Sequence, residues 1–279
     1  MSDSKQAAEQ AIRDGDPQAA LQHLTAAVRA KPADPQLRIF MAQLLCVLGA
    51  WERAHTQLNV VADMDAETGP MRETVGHAIR CELLRADVFA GKRTPMVFGQ
   101  PDQWLALLIE SLLQSGQGNT AMALDLAARA MEDAPATSGR IDGQAFDWLA
   151  DGDGRLGPVL EACVNGRYYW VPFSRLSRVN FEPPQDLRDV VWVPAYLTFS
   201  NGGETVAFVP TRYVGTTETG DPAMLLSRKT TWTEAGPDRW HGLGQRVLIS
   251  SAGEHDLLGI RSIEFDEASA SAQPDAEQS

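Results

Sequence analysis

The stretch Leu156 to Phe173, LGPVLEACVNGRYYWVPF, constrains this chain more than any other. Two apolar runs, Val159 to Val164 and Tyr168 to Phe173, flank Asn165-Gly166. That dipeptide most readily supplies the two positive φ angles of a type I′ turn, so the spacing predicts a β-hairpin. Before it, apolar residues recur at helical spacing; after it, they fall into short runs separated by turn residues. A chain of 279 residues, 44% of them hydrophobic, has room for two cores, and the hairpin marks where one architecture gives way to another.

In the first half, Gly15, Ala20, Leu24, Ala27 and Pro32 recur 34 residues later as Gly49, Ala54, Leu58, Val61 and Ala66. A helix–turn–helix unit of that period is the tetratricopeptide spacing. Glycine relieves the turn, small alanines let paired helices approach, and proline ends the second helix. The register predicts helices over 4–14, 18–31, 35–48 and 51–63, then one longer helix over 71–90 ended by Gly91. A third, degenerate pair follows over 102–115 and onward from Asn119 or Thr120, with a lengthened turn. Trp51 falls where a large residue packs between helices. Stacked pairs leave a concave face suited to an extended or helical peptide. In the second pair that face carries Gln36, Ile39, Gln43 and Cys46, although Ile39 and Cys46 also fit plain burial.

Residues 136–155 read as a linker with a short helical turn whose Phe146, Trp148 and Leu149 dock one domain on the other. Beyond the hairpin, 189–199, 205–210, 225–232, 244–250 and 257–265 are strand candidates; Pro194 suggests a bulge or an edge, and Asn201-Gly202-Gly203 a second hairpin. Six or seven short strands in this space fit a small antiparallel sheet or barrel. Residues 267–279 are polar and acidic, the composition of a disordered tail.

The formal charge of −13 argues against nucleic acid and against an anionic membrane surface, both of which are bound by basic patches. Cys46, Cys81 and Cys163 are odd in number and far apart, giving neither a disulfide framework nor a zinc site. No secretory h-region and no membrane-length apolar run is present, so a soluble, cytoplasmic protein without cofactor is expected.

Chemical motifs are sparse. Asp151-Gly152-Asp153-Gly154 opens like a calcium loop, yet the twelfth position, where a bidentate glutamate belongs, is Ala162, and a polar turn is the better reading. Gly242-Leu243-Gly244 lacks the rest of a phosphate-binding fingerprint and reads as a turn between strands. Of five histidines, only His241 and His255 sit beside acidic residues in the strand-rich half, and neither has metal-ligand spacing. What stands out is arginine interleaved with aromatics: Tyr168 and Trp170, then Arg188, Arg212, Arg228 with Trp232, and Arg246. These residues either pair internally with Asp186, Asp189 or Glu204, or form a patch facing a partner, since Arg, Tyr and Trp concentrate interface energy.

The series DGRLGPVLEACVNGRYYWVPF, PQDLRDVVWVPAYLTF, NGGETVAFVPTRYVGT, LLSRKTTW, GLGQRVLIS and LLGIRSIEF resembles the ImpE/TagJ family, also called SciE-type proteins, encoded in bacterial type VI secretion clusters. The resemblance covers residues 1 to 266, and its specific motifs lie between Asp153 and Arg261. It implies a fold of class α+β: a tetratricopeptide-like α-α superhelix over 1–150 and a small antiparallel β-barrel domain over 151–266. It also implies a non-enzymatic adaptor that binds the N-terminal segment of the small contractile-sheath subunit and assists sheath recycling by an AAA+ unfoldase, with no catalytic residues to carry over. Two other readings stay open: a small-ligand sensor or enzyme built on the β domain around His241, His255 and the arginines, and a scaffold that self-associates through the aromatic face of the β domain.

Overall fold

The computed structural model describes residues 3–236 and 239–267. The expected tail, 267–279, lies outside the described residues except for Glu267. Seven helices come first: α1 (Asp3–Arg13), α2 (Pro17–Ala30), α3 (Pro35–Val47), α4 (Trp51–Met64), α5 (Gly69–Phe89), α6 (Gln103–Gly116) and α7 (Thr120–Asp133). Asp16 and Asp34 cap α2 and α3 by accepting from first-turn N–H groups, with Pro17 and Pro35 just inside each helix. Gly15, Gly49 and Gly118 all take positive φ, at +86°, +70° and +83°, in the middle of the turns that close the three pairs. The turn at Gly118 is no longer than the other two: residues 14–16, 48–50 and 117–119 connect the pairs. What differs is the helix before it, since α6 runs to Gly116 and has 14 residues where α3 has 13.

Among the described residues fourteen strands follow the helical pattern or interrupt it. The largest sheet has the order β1-β6-β5-β9-β8-β7-β14-β2-β3. Its members are β1 (Met96–Val97), β2 (Gly139–Ile141), β3 (Gln144–Phe146), β5 (Val159–Val164), β6 (Arg167–Pro172), β7 (Leu176–Phe181), β8 (Trp192–Phe199), β9 (Glu204–Pro210) and β14 (Ser262–Phe265). All neighbours run antiparallel except β1 and β6. A three-stranded sheet joins β4 (Leu149–Asp151), β12 (Val247–Ser250) and β13 (Gly253–Asp256), and β10 (Thr230–Gly236) pairs with β11 (Arg239–Gly244).

The expected barrel is not formed: the large sheet is open, with β1 and β3 as its edges. Its inner face is closed by side chains instead of by strand pairing. Leu149, Leu248, Leu257 and Ile260 join the core made by Leu160, Val171, Val179, Val193 and Ile263. The linker expected over 136–155 is also absent, since β2, β3 and β4 occupy it and Phe146 and Leu149 are core residues. Gly242 and Gly244, expected in a turn, lie within β11, where the Tyr213 ring occupies the space a Cβ on Gly242 would need.

The hairpin forms as its dipeptide demands, with Asn165 at φ +49° and Gly166 at +74°, and β5 pairing β6 from Val159↔Pro172 to Val164↔Arg167. Every residue of β5 is buried. Leu160, Ala162 and Val164 face the sheet's own core, while Val159 and Cys163 meet Cys81 and Val88 of α5 and Leu105 and Leu108 of α6. A strand covered on both faces reads as a continuous apolar run, which is why its sequence does not alternate. Pro194 lies on the interior strand β8, not at an edge. Its carbonyl accepts from Glu182 N just past the end of β7, so its missing N–H falls where the ladder has run out.

Candidate partner-binding site

The residues singled out in the sequence separate into two groups once their surroundings are known. Tyr168, Trp170 and Arg246 are fully buried, and Arg212 nearly so. They belong to a polar network that welds α5 to the sheet and cannot face a partner. Glu161, in the middle of the apolar strand β5, is its centre. Its carboxylate accepts from Arg85 Nε at 2.6 Å and Nη2 at 2.9 Å and from the Tyr168 hydroxyl, and lies in an ion pair 3.2 Å from Arg246 Nη1. Trp170 Nε1 in turn donates to Tyr168 Oη at 2.7 Å. Arg246 also holds Asp151 through Nε and Nη2, at 2.9 and 2.6 Å. Burial alone would raise the Glu161 pKa; the guanidinium groups of Arg85 and Arg246 outweigh it and hold the carboxyl at about 2.

Arg212 and Arg228 act through backbone carbonyls at the ends of helices. Arg212 Nη1 donates to Val47 O and Leu225 O, both at 2.7 Å, and Nη2 to Cys46 O at 3.3 Å. Arg228 is exposed, yet it donates to Ile12 O at 3.0 Å and Arg13 O at 3.2 Å. The strand-rich half thus places one cation on the C-terminus of α3 and another on that of α1, the ends where the helix dipole and unpaired carbonyls favour positive charge. Burial lowers the Arg212 pKa to about 10. Arg188 pairs with Asp189 at 3.1 Å and Asp186 at 3.8 Å, and lies 5.2 Å over the Phe208 ring. Trp232 is half-buried against Tyr213 at 5.5 Å.

The face of α3 expected to hold a peptide is covered along its C-terminal half by the chain itself. Val191, Trp192, Leu225 and Leu226 pack into the core of α3, with Leu187 and Val190 beside them. Cys46 is fully buried there, and burial pushes its thiol up to about 12. Gln36 is exposed, while Ile39 and Gln43 are half-buried.

An open groove exists elsewhere, between α4 and α5. It has a volume of ≈ 850 Å³, and Trp51, Ile79 and Leu83 supply its apolar surface, with Gly76 leaving room beside His55. Leu83 is 53% exposed, although it follows the buried Ile79 by one helical turn. Trp51 does pack between elements, 5.7 Å from Trp192, and also forms one end of this groove. Arg53, Arg80 and His55 line the rim, opposed by Glu52. Periodicity did not reveal the groove, because Leu83 continues an ordinary apolar stripe. The buried network did leave a signal: Glu161 is the one charged residue in VLEACV.

His241 borders a separate cavity with Arg155 and Arg239, whereas His255 bonds Ser250 Oγ at 2.9 Å and does not line that cavity. The carboxylates of the Asp-Gly-Asp-Gly segment are occupied by arginine: Asp151 by Arg246 and Asp153 by Arg155.

Comparison with known proteins agrees with this architecture. The model of the family described as "ImpE protein" matches residues 143–264, and a tetratricopeptide repeat model matches residues 11–71. The type VI secretion system accessory component TagJ of Pseudomonas aeruginosa is 48% identical over 259 residues, covering 93% of this chain and 91% of that one. The crystal structure of protein VPA1032 from Vibrio parahaemolyticus superposes with a TM-score of 0.85 at 23% identity, over 94% of this chain and 98% of that one, a likeness of fold. With a relative this similar along nearly its whole length, and the family model matching its strand-rich part, the chain belongs to the ImpE/TagJ family.

Proposed function

We propose that this protein is a non-enzymatic adaptor of a cytoplasmic type VI secretion apparatus, holding the N-terminal segment of the small contractile-sheath subunit for assembly or for recycling by an AAA+ unfoldase. The observation that carries this reading is the α4–α5 groove, with Leu83 standing exposed beside Trp51 on a tetratricopeptide-type stack. A groove of this shape suits an amphipathic helix that inserts two apolar residues a turn apart and sets acidic side chains against Arg53 and Arg80. The similarity to TagJ, named as an accessory component of the secretion system, supplies the biological setting. Among the described residues no helix is long and apolar enough to cross a membrane.

Affinity is expected to be modest, since ordering a free segment consumes roughly 2–5 kcal/mol of the gross contact energy. The test is isothermal titration of the protein with the full-length cognate sheath subunit and with its N-terminal fragment. Both bind the wild type, and Leu83→Asp, a surface change expected to move stability by no more than about 0.5 kcal/mol, weakens binding at least about tenfold. Failure of the full-length subunit to bind, or full affinity in Leu83→Asp, refutes the reading.

A further inference from the structure

A second cavity, of ≈ 170 Å³, lies between the end of α6, the start of α7 and the β10–β11 hairpin, away from the α4–α5 groove. Its floor is apolar, formed by Phe89, Leu112, Ala123, Leu124 and Ala127. Over that floor converge Arg155, Arg239 and His241. Arg155 is fixed in place: its Nε and Nη2 donate to Asp153 at 2.8 and 2.5 Å, and its guanidinium lies 4.8 Å over the Phe89 ring. Asp153 is fully buried and also accepts from Gly242 N and Arg155 N, so its oxygens are committed. Arg239 pairs with Gly236 through the strand ladder, but its guanidinium makes no hydrogen bond and no ion pair among the described residues.

The opposite wall donates as well. Ser115 of α6 and Thr120 at the start of α7 line it with their hydroxyls; the backbone N–H groups of Thr120 and Ala123 are already used, donating to Gly118 O at 3.0 Å and Asn119 O at 2.9 Å. Ser111 is already used, donating to Leu108 O at 2.7 Å. Among the described residues no carboxylate lines the cavity, and the charged residues of α6 and α7, namely Glu110, Asp125, Arg129, Glu132 and Asp133, are not part of its lining. Burial, with Arg155 and Arg239 acting in the same direction against Asp153, holds the His241 pKa below its ordinary value, so the imidazole beside the two guanidinium groups is neutral near pH 7 and offers an N–H donor. Arg155 is balanced by Asp153, which leaves the Arg239 guanidinium as the cation at this hollow with no carboxylate beside it among the described residues. The hollow falls below the ~300 Å³ at which drug-sized ligand pockets begin, and has room for one small group.

We propose that this cavity is an oxyanion site, in which Arg239 and His241 on one side and Thr120 at the start of α7 on the other hold a phosphate or a carboxylate. The phosphate would come from a free or esterified phosphate; the carboxylate would come from an acidic side chain of a docked protein. A planar guanidinium offers either group a paired set of donors, and the His241 imidazole and the Thr120 hydroxyl can each add one more.

The test follows the imidazole Cε1–H resonance of His241, assigned with His241→Gln, in the full chain at constant pH. Inorganic phosphate and acetate are titrated separately, each against sodium chloride at matched ionic strength. A saturable downfield shift with phosphate alone identifies a phosphate site; saturation with acetate as well, or acetate alone, identifies a carboxylate site. In either case Arg239→Gln weakens binding at least about tenfold, the loss of one charge-assisted contact. The Arg239 side chain has no bond to lose among the described residues, and an unchanged circular dichroism melt confirms that the variant is folded. A response that chloride reproduces, one that never saturates, or one that persists in Arg239→Gln overturns the proposal.

Discussion

Replacing Glu161 by Gln tests whether the buried network, and not apolar contact alone, joins the helical half to the sheet. The side chain is fully buried and holds Arg85 through two bonds, Arg246 in an ion pair, and Tyr168. Leaving a buried charge without its partner costs about 3–5 kcal/mol. The lower end applies here, because Arg246 keeps Asp151 at 2.6 Å, while Arg85 keeps Glu82 at 3.5 Å and Arg212 O at 2.8 Å. The expected loss is therefore about 3 kcal/mol, read as a lower midpoint at unchanged slope in urea titration followed by tryptophan fluorescence. Adding Arg85→Met removes the stranded cation, so the double variant should recover at least about 1 kcal/mol.

The acid limb of stability gives an independent check. The Glu161 pKa of about 2 in the folded state lies below the ordinary 4.5, so its stabilisation is complete above about 4.5 and is lost as pH falls through about 2. Glu161→Gln should flatten that slope. Asp151, whose pKa burial raises, contributes with the opposite sign, and because it shares Arg246 with Glu161 the control is Asp151→Asn, alone and combined with Glu161→Gln. A loss under about 1 kcal/mol, or a double variant with Arg85→Met costing the sum of the singles, would refute the reasoning.

Two further outcomes follow from the same contacts. Arg228→Ala removes two bonds to the last carbonyls of α1 and should cost about 0.3–1 kcal/mol, with faster amide exchange confined to α1 and its turn. Gly91→Ala should be far more damaging, by over about 2 kcal/mol in a thermal melt. Gly91 sits at φ +67°, and a Cβ there would lie 2.3 Å from Leu112 O and 2.8 Å from Gly116 Cα, where α5 meets α6.

What the sequence determined by itself is what short-range chemistry controls. Gly15 and Gly49 need positive φ whatever surrounds them, and Asn165-Gly166 makes its turn from two residues' own preferences, so the first two helix pairs and the first hairpin were legible. The period broke after the second pair without hiding the longer helix α5, because an amphipathic stripe and a terminating Gly91 are also local signals. The family motifs carried the identity for the same reason, being runs of neighbouring residues.

The tertiary structure alone decided what depends on distant partners. Nothing near β14 in sequence says that it lies between β7 and β2, and nothing near Met96 says that two residues from the helical half extend the sheet beside β6. Sheet closure is a property of the two edges, which is why short strands and turns could suggest a barrel that does not form. The arginines show the same division most plainly. Arg188 found the aspartates beside it in sequence, but Arg246 found Asp151 and Glu161, and Arg212 and Arg228 found helix ends at Val47 and Arg13. A guanidinium's residue type fixes its charge and its donors; whether these bind a partner or tie the chain to itself is set by which carbonyls and carboxylates the fold carries to it, and by how much water is left.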